Sequence, residues 1–184
     1  MVQKDFIDRL ADAHQRDDLA AIRTWLSSQE LTPLVGEVLG SQDLKVLDWD
    51  FQPLKRGIGG SQVFKVSGHA LVGGHRNAWS IVLKTLNKSG STQAVSGDDW
   101  CREALAYRSG LLDELPGGLE AATCYRLDDR SESEIWMWLE DLSGAPDVPW
   151  SLERFGLAAR HLGQLNGHYC THPWPEASLL DGRE

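Results

Sequence analysis

The stretch AWSIVLKTL, residues 78–86, decides how the rest of the chain is read. It is rich in Val, Ile and Trp, partly alternates, and carries a single cation, Lys84, at the close of its apolar run. That composition argues a β-strand. Two upstream stretches share it: VLDWDFQPL (46–54) and QVFKVSGHALV (62–72). GGHRN (73–77) reads as a hairpin connection between the second and third strands. Between the first and second lies RGIGGSQ (56–62), a glycine-rich turn.

Downstream, NKSGSTQAVSG (87–97) is a polar loop, and DDWCREALAYRSGLLDEL (98–115) follows it as a helix. Asp98 or Asp99 is expected to cap that helix, with Trp100, Ala104, Leu105, Leu111 and Leu112 on its apolar side and PGG (116–118) ending it. Two more strands, AATCYRLDD (121–129) and EIWMWLEDL (134–142), are joined by an acidic turn around Ser131 to Ser133. SLERFGLAARHLGQLNGHY (151–169) is an amphipathic helix with Leu152, Phe155, Ala159, Leu162 and Leu165 on one face. At the other end, residues 1–40 read as helical. Phe6, Ile7, Leu10 and Ala13, then Leu19, Ile22, Trp25 and Leu26, repeat on a helical period. LTPLVGEVLG (31–40) is a third helical piece, with Thr32 as its expected cap and Pro33 in its first turn.

The expected class is therefore α+β, with a helical preface over 1–40, a five-stranded lobe over 41–142, and the start of a further lobe over 143–184. Five antiparallel strands with one helix inserted after the third is the element order of a protein-kinase amino-terminal lobe.

Composition narrows the function classes. The net charge is −9, with no run of Lys and Arg, so a nucleic-acid backbone is not the expected partner. No segment approaches the ~20 apolar residues of a membrane span. Cys101, Cys124 and Cys170 are scattered, with no C-x-x-C pair, which suggests neither a zinc site nor a disulfide framework. Reduced thiols and a cytoplasmic location are the expectation. His161 and His168 have no third ligand nearby in the sequence, so no metal role is assigned to them.

Three features carry chemistry. Gly57, Ile58, Gly59, Gly60 and Ser61 form a turn whose backbone N–H groups can approach phosphate oxygens where no Cβ intervenes, with the Ser61 hydroxyl as a further donor. Lys84 ends its strand as a positive charge suited to α- and β-phosphates. Glu103, nineteen positions on, lies in the following helix, where an acid would fix that lysine; Arg102 and Arg108 are alternative partners for it, and Asp98 and Asp99 rival it. Taken singly, each has an ordinary explanation: a flexible hairpin, a strand-end lysine reaching for water, a solvated helix glutamate. Together they must agree in order, spacing and element type.

On PLKRGIGGSQVFKV, SIVLK, REALAYR, IWMWLEDL and AARHLGQLNGHY, the segment from about 50 to 169 resembles the aminoglycoside phosphotransferase and related kinase-like family, choline and ecdysteroid kinase relatives included. The resemblance implies an ATP-binding lobe. Lys84 and Glu103 would form the phosphate-positioning pair. Ile58, Val63, Val82 and Leu139 would sandwich the adenine. The backbone carbonyl of Glu140 and the backbone N–H of Leu142 would hydrogen-bond it at a hinge, Leu139–Leu142. Trp136 and Trp138 share one strand face and are read as packing. The glycine turn departs from the protein-kinase pattern, because the third glycine of G-x-G-x-x-G is missing.

The family's catalytic loop, H-G-D-x-x-x-x-N, and its magnesium-binding aspartate have no counterpart in this sequence. The expectation is accordingly an ATP-binding lobe that does not transfer phosphate by itself, the front part of a longer enzyme. In that enzyme, Mg²⁺ ligands and the pocket for a small-molecule hydroxyl acceptor would lie beyond these residues. A non-catalytic nucleotide-binding or protein-interaction module is the alternative. The apolar side of the 151–169 helix is expected to stand partly uncovered, or to be covered by the preface helices or by another subunit.

Overall fold

A computed structural model describes Ile22 and residues 26–54, 61–88, 99–143 and 149–172. Of the sequence expectations, the helical repeat before Ile22, Gly57, Ile58, Gly59, Gly60, Asp98 and most of the 87–97 loop lie outside the described residues. The fold is α+β. Helix α1 (Ser28–Leu39) precedes strands β1 (Leu44–Pro53), β2 (Gln62–Val72) and β3 (His75–Asn87). A 3₁₀ turn (Asp99–Cys101) leads into α2 (Arg102–Arg108), and a second (Pro116–Gly118) precedes β4 (Cys124–Ser131) and β5 (Glu134–Glu140). Helix α3 (Leu152–Thr171) comes last. The strands make one open antiparallel sheet in the order β1-β2-β3-β5-β4.

By its internal contacts the chain divides into two units, Met1–Trp49 with Gly68–Trp79, and Asp50–Ser67 with Ser80–Glu184. In the first, α1 begins earlier than Thr32 and Pro33 suggested. Ser27 is its cap: the Ser27 hydroxyl accepts from the Glu30 N–H and the Glu30 carboxylate accepts from the Ser27 N–H, both at 3.2 Å. This capping box satisfies two orphan donors and outweighs a start at Thr32, whose hydroxyl donates to the Ser28 carbonyl instead. Leu31, Leu34 and Val35 then fall on one buried face. Gly40, left-handed at φ 62°, ends the helix.

The β2–β3 connection is shorter than GGHRN. Gly73 and Gly74 alone form the turn, at φ 54° and 84°, and His75 already belongs to β3. Two successive positive φ angles match the twist of a two-residue hairpin, which side chains with a Cβ resist. At Gly68 the backbones of β1 and β2 come so close that a Cβ would stand 2.1 Å from the Asp48 carbonyl oxygen.

In the second unit, period-two alternation separates two faces. Phe64, Val66, Ile81, Leu83 and Trp138 are fully buried, with Phe51 stacked on Phe64 at 4.6 Å between ring centres. The Trp138 indole donates to the Asp128 carboxylate at 2.9 Å, so both Trp136 and Trp138 are packing residues, as expected. On the opposite face Leu86, Ile135, Met137 and Leu139 pack against Cys101 and Ala104 of the α2 segment, with Val82 at the margin.

Helix α2 is much shorter than the 98–115 pattern predicts. Apolar spacing continues through Leu111 and Leu112, but Ser109 caps the helix and Gly110 turns left-handed at φ 73°. Asp99 lies in the preceding 3₁₀ turn, and Cys101 is the N-cap, with no side-chain capping bond.

Helix α3 is present as predicted, capped by the Ser151 hydroxyl. The half-buried positions are Ala158, His161, Leu165, His168 and Tyr169, of which Leu165 belongs to the predicted stripe, and the rest of that stripe stands largely uncovered, one of the outcomes expected for it. Leu152, Phe155 and Leu162 remain 90%, 56% and 58% exposed. The Tyr169 hydroxyl donates to the Leu111 carbonyl at 3.3 Å, and Gln164 lies over Gly117.

Candidate functional site

Alternation along β3 sets Ser80, Val82, Lys84 and Leu86 on the sheet face that carries α2. The register brings β5 alongside, with Lys84 opposite Met137 and Val82 opposite Leu139. Lys84 therefore projects beside the first turn of α2, and there its ammonium pairs with the Glu103 carboxylate. The side chains are 21% and 40% exposed, so the pair faces a partly open surface. An ion pair this exposed contributes only about 0–1 kcal/mol to stability. Its consequence is geometric: one N–H of Lys84 is aimed at Glu103, and an ammonium has three. The rival partner Arg108 is bound elsewhere, to Asp129 at 2.6 Å.

The remaining predicted residues divide. Val82 and Leu139 lie with Lys84 on the α2 face. Val63, the second residue of β2, is half-buried, and its carbonyl accepts the Leu54 N–H at 2.8 Å. Ser61 is buried. Glu140 is the last residue of β5; its carboxylate accepts from the Thr123 N–H and hydroxyl at 3.1 and 3.2 Å. Leu142 follows, 61% exposed.

One group of residues on this unit was not anticipated. Asp141, a half-buried residue whose side chain is only 5% exposed, receives the Lys65 ammonium at 2.7 Å. Its carboxylate also accepts from the Ser143 N–H at 2.9 Å and from Ser80. Lys65 donates in addition to the Ser143 hydroxyl at 3.0 Å. Burial alone would raise the Asp141 carboxyl, but the bonds from Lys65, Ser143 and Ser80 outweigh it and hold the carboxyl well below the usual carboxylate range. The signal in the sequence was faint: Lys65 alternates with Val63, and Asp141 adjoins Glu140.

A cavity of about 440 Å³ opens elsewhere, lined by Tyr107, Asp113, Thr123, Cys124 and Arg126 among others. Neither Lys84 nor Glu103 lines it. Burial pushes the Cys124 thiol and the Tyr107 phenol up, so neither is an activated nucleophile. Among the described residues, no group of three or more His, Cys, Asp or Glu side chains could hold a metal ion, and no helix is long and apolar enough to cross a membrane. No Mg²⁺ ligand set is therefore assigned. No protein-family model, curated protein or solved structure matches this chain.

Proposed function

We propose that the partly open surface where Lys84 of β3 meets Glu103 of α2 binds ATP, as the amino-terminal lobe of a kinase-like small-molecule phosphotransferase. The single observation that carries this reading is the Lys84–Glu103 ion pair. A lysine and a glutamate nineteen positions apart meet across a strand and the helix inserted after it. Order and element type both agree with that lobe. In this reading Glu103 takes one N–H of Lys84, and the other two are offered to the α- and β-phosphates. Val82 and Leu139 supply apolar contact for the adenine, with Val63 of β2 as a third. The Glu140 carbonyl and Leu142 N–H hydrogen-bond the base edge, and the Ser61 hydroxyl is offered to the phosphates; Gly57, Gly59 and Gly60 lie outside the described residues. The acceptor is a small-molecule hydroxyl compound; its pocket and the residues that activate it are not among those described.

The test is a thermal-shift titration with ATP on the wild type and on Lys84→Ala. Stabilisation of the wild type that is lost in the variant supports the assignment. Equal shifts in both, or none in either, overturn it. A second reading, a non-catalytic interaction module, draws on a different observation: the exposed Leu152, Phe155 and Leu162 on α3.

A further inference from the structure

We infer that Asp141, held by Lys65, Ser80 and Ser143, is a positioning residue for the base-recognition edge of the nucleotide site. This inference rests on the ATP-binding reading above and assigns a task to residues which that reading leaves unused.

A carboxylate at 5% exposure loses most of its hydration, which is expensive unless charge and hydrogen bonds replace it. Here both oxygens are used: one meets the Lys65 ammonium, the other the Ser143 N–H. Such a group is fixed in place. On its C-terminal side the chain has left the strand ladder, because β5 ends at Glu140. The bond from the Ser143 N–H back to Asp141 closes a side-chain-to-backbone turn with Leu142 at its apex. That turn sets where the Leu142 N–H is presented, beside a Glu140 that is held by its pairing with Ile81 and its bond to Thr123.

The same carboxylate fixes a second dimension. Lys65 is two residues beyond Val63 on β2, and Ser80 is two residues before Val82 on β3. Asp141 therefore ties the strand that leaves the glycine-rich turn, the strand that carries Lys84, and the exit of β5 to one anionic centre. Val63, Val82 and the 140–142 backbone are the three surfaces proposed to enclose the adenine. The depression of the Asp141 carboxyl agrees with this, since it remains charged and bonded throughout the neutral range. A salt bridge serving stability alone would have no reason to discriminate between parts of a ligand.

That discrimination supplies the test. Adenosine, ATP and inorganic tripolyphosphate are titrated by calorimetry into the full chain, as wild type, Lys65→Met, Asp141→Asn and Lys65→Arg. In parallel, amide exchange of residues 140–143 is followed by mass spectrometry. The expected result is a loss of adenosine affinity of about tenfold or more in Lys65→Met and Asp141→Asn, within the range of ordinary site-to-site couplings. Tripolyphosphate affinity should stay within about twofold in both variants, Lys65→Arg should recover adenosine binding, and exchange at 140–143 should rise in Lys65→Met. Unchanged adenosine affinity, or an equal loss of adenosine and tripolyphosphate, overturns the positioning role. A wild type that binds none of the three ligands removes the nucleotide reading and this role with it. The exchange data then still show whether Lys65 and Asp141 order the 140–143 turn, and unchanged exchange in Lys65→Met refutes the latch on its own.

Discussion

Replacing Lys65 by Met removes one charge while keeping a side chain of similar length, and the structure sets the size of the effect. The variant leaves Asp141 at 5% exposure with only Ser80 and Ser143 as donors. Removing one partner of a fully buried pair costs about 3–5 kcal/mol. Lys65 is itself 30% exposed, so water can partly take its place, and about 2–3 kcal/mol is the working figure. In a chain of this size that is a fall in melting temperature of roughly 4–12 °C. The pH dependence is more diagnostic than the size. In the wild type the Asp141 carboxyl lies far below its unfolded value, so its contribution is complete above about pH 4 and is lost as pH falls through the folded value. In Lys65→Met the carboxyl loses its first lowering partner and keeps only the bonds from Ser143 and Ser80, so it takes up a proton at higher pH than in the wild type, and protonation relieves the variant first as the solution is acidified. The stability gap between the two proteins should therefore narrow as pH is lowered from 7 toward 3. Urea unfolding at a series of pH values measures it. A gap below about 0.5 kcal/mol at pH 7, no larger than an ordinary surface substitution, or one that does not change with pH, refutes the reasoning.

Three further outcomes follow from the geometry. Gly68→Ala places a methyl 2.1 Å from a backbone oxygen that cannot swing away, so it should cost at least about 2 kcal/mol by urea unfolding; a neutral result contradicts the close approach of β1 and β2. Ser27→Ala removes the capping box of α1 and should cost about 1 kcal/mol, whereas Thr32→Ala should cost less; the reverse order would restore Thr32 as the cap. The α3 face with Leu152, Phe155 and Leu162 exposed should bind a hydrophobic dye and drive concentration-dependent association in light scattering, weakened by Leu152→Glu; a strict monomer with no dye binding contradicts an open face.

Much of the fold was legible because strands and turns announce themselves locally. QVFKVSGHALV became β2 with the same bounds, since Phe64 and Val66 alternate toward one buried face and the paired glycines that follow force the chain to reverse. The helices were harder at their ends. The apolar period around Leu111 and Leu112 runs on past Ser109-Gly110, and periodicity says nothing of the left-handed residue that breaks the helix. The S-x-x-E signature at Ser27 was present in the sequence, but the proline at 33 drew the expected start downstream. For α3 the apolar stripe was legible as a pattern, and its Leu152, Phe155 and Leu162 stand exposed, but nothing in the pattern announced the bond from the Tyr169 hydroxyl to the Leu111 carbonyl.

The same distinction holds for the site. Lys84 and Glu103 could be paired from the sequence because element order limits which helix can lie over β3. Lys65 and Asp141 could not, since their meeting depends on how β2 and the exit of β5 converge in three dimensions. Neither carries a motif. A buried carboxylate becomes visible only once its exposure and its partners are known.

The most direct measurement is covalent. An acyl-phosphate derivative of ATP acylates lysines lying against the terminal phosphates, and peptide mass spectrometry identifies which lysine was modified. The account predicts modification at Lys84, suppressed by excess unmodified ATP and weakened in Glu103→Gln, where the ammonium loses its guide. Scattered modification of surface lysines such as Lys45 and Lys88, with Lys84 untouched and ATP giving no protection, would contradict it.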